Sequence, residues 1–416
     1  MDIYLLDWAN LLLRWAHVVV AIAWIGSSFY FVFLDSSLTR PQDPELVRKG
    51  VDGELWAVHG GGFYHPQKYL VAPGTLPGQL HWFYWESYST WLTGFGLFTL
   101  LYLFNAGTFL VDKSVYDWSP ATAIVTALVF LAAFWVFYDL ICRWVGEGDG
   151  KVGGDALVGA LVLVFVVGAA WLACRLFAGR AAFLMVGAMI ATAMSANVFV
   201  WIIPGQRKVI AQMKAGQPVD PLQGQRAKQR SMHNTYFTLP VLIAMMSNHY
   251  GWLYQGAHNW AVLVLLMLAG ALIRHSFVAR HKARVQGKRV PWEHALIGSA
   301  VLVGLAVWLA PAPPSAAERE AAARPAGYAE VRAVIDERCV RCHNAQLQNK
   351  GIALHTADLL EHNAQAVYQQ VSVLKLMPLN NATRITDAER ALIKRWYESG
   401  APVPWKPGRP PGEARP

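Results

Sequence analysis

The stretch Ala156–Leu176, ALVGALVLVFVVGAAWLACRL, carries one charge, Arg175, in 21 residues. A helix of that length rises about 30 Å, the thickness of a bilayer's hydrocarbon core, so the run predicts a membrane span. Working outward, comparable apolar stretches lie near Trp8–Leu34, Ser87–Val111, Ala121–Ile141, Ala181–Ile203, Tyr236–Tyr254, Trp260–Phe277 and His294–Ala310. Composition agrees: 55% of residues are hydrophobic and only 15% charged, which marks a polytopic membrane protein. The predicted fold is all-α, an eight-span transmembrane bundle over residues 1–310. A Pro/Ala/Glu-rich linker (311–326), a small soluble domain (327–401) and a disordered Pro/Gly/Arg tail (402–416) follow. No short-period repeat is visible.

Net charge is +9, and its placement points to the lipid bilayer rather than to nucleic acid. Arg280, Lys282, Arg284, Lys288 and Arg289 crowd the last loop between spans. Arg207, Lys208, Lys214, Arg226, Lys228 and Arg230 fill the loop before the sixth, and Arg40, Arg48, Lys49 and Lys68 the first. The alternate loops hold little beyond Lys113, Arg175 and Arg180. By the positive-inside rule the rich set is cytoplasmic, and eight spans then leave both termini outside. Asp2 and Asp7 precede the first span and no cleavage site follows it, so it is expected to be an uncleaved anchor. The expected location is a bacterial inner membrane with the soluble domain in the periplasm.

That soluble domain contains Cys339-Val340-Arg341-Cys342-His343. The C-x-x-C-H arrangement supplies two thiols to bond the vinyl groups of one haem c and a histidine for its iron. Cys339 and Cys342 are the predicted attachment points, His343 the proximal ligand and Met377, in Leu376-Met377-Pro378, the sixth ligand; His355 and His362 are the alternatives to it. The sequence from Ile385 to Arg390 opens a last helix with an N-cap signal and an apolar stripe through Leu392, Ile393 and Trp396. The segment resembles a small class I cytochrome c domain. Met/His ligation raises the reduction potential and suits an electron acceptor that passes charge to a soluble or membrane cytochrome c or a terminal oxidase. The remaining thiols, Cys142 and Cys174, read as buried and inert.

Polar residues inside a membrane are costly and are functional candidates by default. Here they are His17, Glu86, Asn197, His233-Asn234, Asn248-His249, Arg274-His275 and Glu293-His294. The bland readings are helix–helix hydrogen bonding for single histidines, an interfacial belt for Trp82 to Trp85, and snorkelling for Arg274. The glycines and histidines of Val58 to Pro66 suggest an ordered cap. A substrate oxidised at the cytoplasmic mouth would be separated from the haem c domain by a core of about 30 Å. An intramembrane haem b held by His17 and His249 is the expected carrier.

Several runs resemble the membrane-bound urate hydroxylases, in which an eight-span urate oxidase N-terminal domain precedes a cytochrome c. They are His17 with Trp24-Ile25-Gly26, Tyr64-His65-Pro66-Gln67-Lys68-Tyr69, Leu80 to Glu86, Ile203-Pro204-Gly205-Gln206-Arg207-Lys208, Lys228 to Asn234, Thr238-Leu239-Pro240-Val241 and Ser247-Asn248-His249-Tyr250. The resemblance covers essentially the whole chain. It implies hydroxylation of urate at C5 to 5-hydroxyisourate, with electrons leaving through the cytochrome instead of forming hydrogen peroxide. On that reading Arg274, Arg230 or Lys228 holds the urate anion, with Asn234 and Trp85 beside it. His233, His275, His294, Glu293 and Glu86 are the candidates for proton transfer. One rival expectation is a quinol–cytochrome c electron-transfer module with intramembrane haem b and no urate chemistry. Another is a transporter or sensor in which haem c reports redox state.

Overall fold

The computed structural model describes residues 3–311 and 324–404, with a few single residues between them. Much of the predicted linker and most of the predicted tail lie outside the described residues. The chain divides into two compact units, Met1–Ser247 with His258–Trp308, and Asn248–Ala257 with Leu309–Pro416. Helix makes up 68% of the structure, which is mostly helical.

In the first unit, α1 (Ile3–Ser37) leads into an ordered segment. That segment holds α2 (Pro44–Arg48) and the antiparallel pairs β1 (Val51–Glu54) with β4 (Gln67–Tyr69) and β2 (Ala57–His59) with β3 (Gly62–Tyr64). His65 stacks on Trp56, ring centres 4.1 Å apart, and meets Glu54 at 2.6 Å, while Lys68 pairs with Asp35 at the end of α1. Then come α3 (Trp85–Phe98), extended by a π-turn over Thr99–Leu103, and the short α4 (Ala106–Phe109). Next are α5 (Pro120–Trp144), the hairpin β5 (Glu147–Gly148) and β6 (Lys151–Val152), and α6 (Asp155–Leu176). The chain continues through α7 (Gly179–Ala196) and a π segment, Asn197–Ile202, into α8 (Ile203–Lys214). The unit is completed by α9 (Pro221–Met246), α11 (Asn259–Val285) and α12 (Glu293–Trp308); α10 (Gly251–Tyr254) belongs to the second unit.

Five of these segments are long and apolar enough to cross a membrane: α1, α5, α6, α7 with α8, and α11. The other three predicted spans are also helical, but α3 is short before its π-turn, α12 has 16 residues, and α9 is polar over its first half. The helix α9 corrects the sequence reading. Arg226, Lys228 and Arg230 are not in a loop but on α9, and Arg207, Lys208 and Lys214 are on α8. The helix persists because α9 starts on a strong signal, Asp220 accepting from Leu222 N with Pro221 at the first position. Two of its charges also find partners on other segments: Arg230 meets Asp139 on α5 and Arg226 meets Glu147 on β5.

The interior is built around α7, whose Ala, Gly and Met residues pack against α5, α6 and α9. Small residues let backbones approach, as membrane bundles require. A Cβ at Gly298 of α12 would fall 2.9 Å from Ala269 O, and one at Gly270 of α11 would fall 3.2 Å from Leu239 Cβ. That second crossing lies at Pro240, which removes one helical hydrogen bond from α9. Leu11, Trp15, Ile22, Val164, Leu296 and Val307 stay exposed, as suits side chains that face lipid.

In the second unit, α13 (Tyr328–Arg338) packs on α16 (Asp387–Glu398). Between them lie α14 (Ala357–His362) and α15 (Ala364–Val367), the latter extended by a π-turn over Tyr368–Val373. Val331, Ile335, Leu360, Val371, Ile393 and Trp396 form the core. Thr386 and Glu389 close a capping box at the start of α16, at the predicted position.

Candidate functional site

One face of α9 carries much of the polar character of the first unit. Gln225, Lys228, Gln229, His233 and Tyr236 recur at the three- and four-residue spacing of a single helix face. They line the α9 side of a cavity of about 630 Å³ between α6, α9 and α11, whose remaining lining is apolar apart from Asp155. Lys228 makes no hydrogen bond or ion pair among the described residues. Its charge reaches Lys68, which burial first, and Lys228 second, hold below the ordinary lysine range.

A buried relay reaches His233. Asn197 donates from Nδ2 both to Asn234 Oδ1 and to the Tyr138 hydroxyl, each at 3.0 Å, and Asn234 Nδ2 donates to Met194 O. The Tyr138 hydroxyl in turn meets His233 Nδ1 at 2.8 Å, with Cys142 Sγ 3.7 Å from the same nitrogen. Among the described residues nothing occupies His233 Nε2, which is left for a ligand. Beside the relay, Asp139 Oδ1 accepts from Arg230 at 2.8 Å and from Trp201 Nε1 at 2.7 Å, and Arg230 is 1% exposed. Gln229 donates to Asp155 at 3.0 Å.

A second cluster joins α1, α9, α11 and α12. The Arg274 guanidinium lies 3.6 Å from the ring centre of Phe29 and is buried, yet its Nε and Nη2 have no hydrogen-bond partner among the described residues. The neighbouring His275 meets the Tyr236 hydroxyl at 2.9 Å through Nδ1, and its ring centre lies 4.4 Å from that of His294. Ser276 braces this meeting, since its hydroxyl donates to Pro291 O at 2.6 Å and accepts from Ala295 N at 2.9 Å. The first turn of α12, with Glu293 and His294, is thereby pinned against α11. His294 Nδ1 is buried without a partner. Tyr236 belongs to both places, because its side chain lines the cavity and bonds His275.

The structure thus brings His275, His294, Glu293 and Arg274 into one neighbourhood, and His233, Asn234 and Arg230 into the adjoining one. Glu86, in the first turn of α3, has a buried Oε2 with no partner, whereas Trp85 beside it is exposed. His17 is engaged by Thr93 Oγ1 at 3.0 Å and packs on Gly94, where a Cβ would fall 2.9 Å from the ring. His249 is exposed on a turn of the second unit, so His17 and His249 are in separate units. Sequence reasoning passed over Tyr138, Asp139, Tyr236 and Phe29. An aspartate in the apolar run of α5 was the available signal.

The second unit suits the haem its motif implies. His343 Nδ1 lies 3.0 Å from Ile352 O, which fixes the tautomer that leaves Nε2 for iron. Cys339 is buried, and burial pushes its thiol up to about 12, while Cys342 is exposed. Met377 packs on the hydrophobic core, and its carbonyl accepts from the buried Arg390 at 2.8 Å. Arg390 also reaches Val371 O at 2.5 Å, so it ties the Met377 loop to the π-turn.

A family model described as urate oxidase N-terminal matches residues 3–310. No curated protein and no solved structure matches the chain.

Proposed function

The chain belongs to the urate oxidase N-terminal family, and from that premise we propose that it is a membrane-bound urate hydroxylase. It converts urate to 5-hydroxyisourate and delivers the electrons to a haem c in its own C-terminal domain. The observation that carries this reading is Arg274. A buried guanidinium with two unpaired nitrogens is expensive, and an anion that pairs with it removes the cost. Urate is a planar anion whose oxygen and nitrogen acceptors match the planar fork of arginine.

The residues around Arg274 supply what the reaction needs. Hydroxylation adds water oxygen to C5 and releases two electrons and two protons. His294, with its unpartnered Nδ1, takes the proton of the attacking water, and His275 receives it in turn. Tyr236 orients His275 through their hydrogen bond. His233 stands apart from this cluster, its Nδ1 held by the Tyr138 hydroxyl. In the second unit, Cys339 and Cys342 would hold the haem and His343 and Met377 would ligate its iron, and the group would supply a one-electron acceptor. The distribution of Lys and Arg supports eight spans in a bacterial inner membrane with both termini in the periplasm.

The test is urate-dependent reduction of haem c in washed, oxygen-free membranes. Urate should reduce the wild-type haem. Arg274→Gln should raise KM for urate about 10- to 100-fold, the worth of a charged hydrogen bond of about 1.5–3 kcal/mol. A haem that urate leaves oxidised while a quinol reduces it would sink the proposal in favour of a quinol–cytochrome c module.

A further inference from the structure

The cavity beside α9 has a second character that urate does not use. Apart from the polar residues on α9 and Asp155, its lining includes Val162, Leu163, Val166, Phe237, Val264 and Met267, side chains that offer a purine no hydrogen bond. Its volume of about 630 Å³ lies within the range of sites that enclose an organic ligand, of about 300–1,000 Å³. Its walls come from α6 and α11, both apolar enough to cross a membrane, and from α9. An occupant with a long apolar tail and a polar head fits such a shape. We propose that this cavity binds a lipid-soluble quinone, with its ring at the His233 end and its prenyl tail along the apolar wall.

The polar side selects that head over a phospholipid's. Lys228 and Asp155 both line it, so the two formal charges cancel, and the carboxylate repels a phosphate. What remains is hydrogen bonding to uncharged carbonyls, from His233, whose Nδ1 is held by Tyr138 and whose Nε2 has no partner among the described residues, and from the amide of Gln225. The electrons have a short route as well. Tyr236 lines the cavity and bonds His275, so the quinone site and the Arg274–His275 cluster share a residue.

This assignment rests on the urate reading for its electron source. Urate and water become 5-hydroxyisourate as the C5–O bond forms, releasing two electrons and two protons. The quinone takes both electrons and both protons and becomes the quinol. A quinone accepts electrons in pairs and gives them up singly, so it matches a two-electron donor to a one-electron acceptor. It also moves within the membrane.

The experiment uses the purified full-length chain in detergent. Quinone and phospholipid are counted per haem c in an organic extract, and decylubiquinone binding is followed by calorimetry. The expected result is about one quinone per chain and saturable binding of decylubiquinone. Gly159 lines the cavity with nothing within 4 Å of a Cβ, so Gly159→Phe should fill it without disturbing the helix. That variant, and His233→Phe, should weaken decylubiquinone at least tenfold. No saturable binding to the wild type, phospholipid alone in the extract, or wild-type affinity in Gly159→Phe overturns the site. Oxygen-free reduction of decylubiquinone by urate separates the two proposals. Binding that Gly159→Phe blocks, with urate reducing neither quinone nor haem, keeps the quinone site and removes the urate reading. Urate-driven haem reduction without quinone binding does the reverse.

Discussion

The Tyr138 hydroxyl and His233 Nδ1, on α5 and α9, are 2.8 Å apart, and Asn197 Nδ2 donates to the same hydroxyl oxygen at 3.0 Å. Tyr138→Phe removes the shared atom, so Asn197 Nδ2 keeps only its bond to Asn234 and His233 Nδ1 only its long contact with Cys142 Sγ. Each such loss costs about 1–3 kcal/mol. The variant should therefore melt earlier in detergent, and its turnover with urate should fall while KM for urate stays near the wild type, because Arg274 is untouched. A rise in KM with unchanged turnover would place His233 in substrate holding instead.

Asp139 and Arg230 form an ion pair that is nearly closed to solvent, at 2.8 Å. Removing one partner leaves the other charge buried and should destabilise the first unit by about 3–5 kcal/mol. Asp139→Asn and Arg230→Met are each expected to reduce the yield of folded protein, as read by size-exclusion chromatography. The double variant should recover part of the loss, since it buries no lone charge. Equal losses in the double and single variants would show that Trp201, which also donates to Asp139, depends on the carboxylate more than Arg230 does.

The same pair shows where sequence reading stops. A 21-residue apolar run states its own fate, since hydropathy and length are local, and C-x-x-C-H is local too. Arg226, Lys228 and Arg230 instead suggested a loop, because the partners of the two arginines, Glu147 and Asp139, lie on other segments, while Lys228 stays exposed. Tyr236 was hidden for a similar reason. Its importance comes from His275, 39 positions away, and no spacing rule connects them. The pairing of His275 with His294 was legible only as two polar residues near adjoining span ends.

Asp220 caps α9, accepting from Leu222 N at 2.9 Å and from Gln223 Nε2 at 2.9 Å. The Gln223 bond first, and the Leu222 amide second, hold its carboxyl below the ordinary aspartate range. A carboxyl depressed in the folded state stabilises it above the unfolded pKa, about 3.9, and that contribution fades as pH falls through the folded value. Asp220→Ala should lower stability by about 1 kcal/mol at pH 7, the usual worth of an N-cap. Thermal melts of the two proteins should begin to converge as pH falls below about 4 and should meet only below the folded value, where the wild-type carboxyl is itself protonated. A gap that stays constant to pH 3 would assign the effect to helix propensity rather than to the carboxylate.

Arg390 and Met377 supply the last prediction. The guanidinium is buried, yet it has no carboxylate as its hydrogen-bond partner. It donates to Val371 O and to Met377 O, holding the loop that carries the proposed iron ligand. Arg390→Met keeps the volume and removes both bonds, leaving two carbonyls unsatisfied at about 1–3 kcal/mol each. The loop should then loosen while Cys339, Cys342 and His343 still hold the haem. Haem content by pyridine haemochrome should match the wild type. The reduction potential should fall, because thioether ligation and a nearby buried positive charge both favour the reduced iron. Met377→Ala should lower it at least as far. If the potential falls in Met377→Ala but not in Arg390→Met, the arginine is a packing residue and the loop is held by the core contacts of Met377 alone.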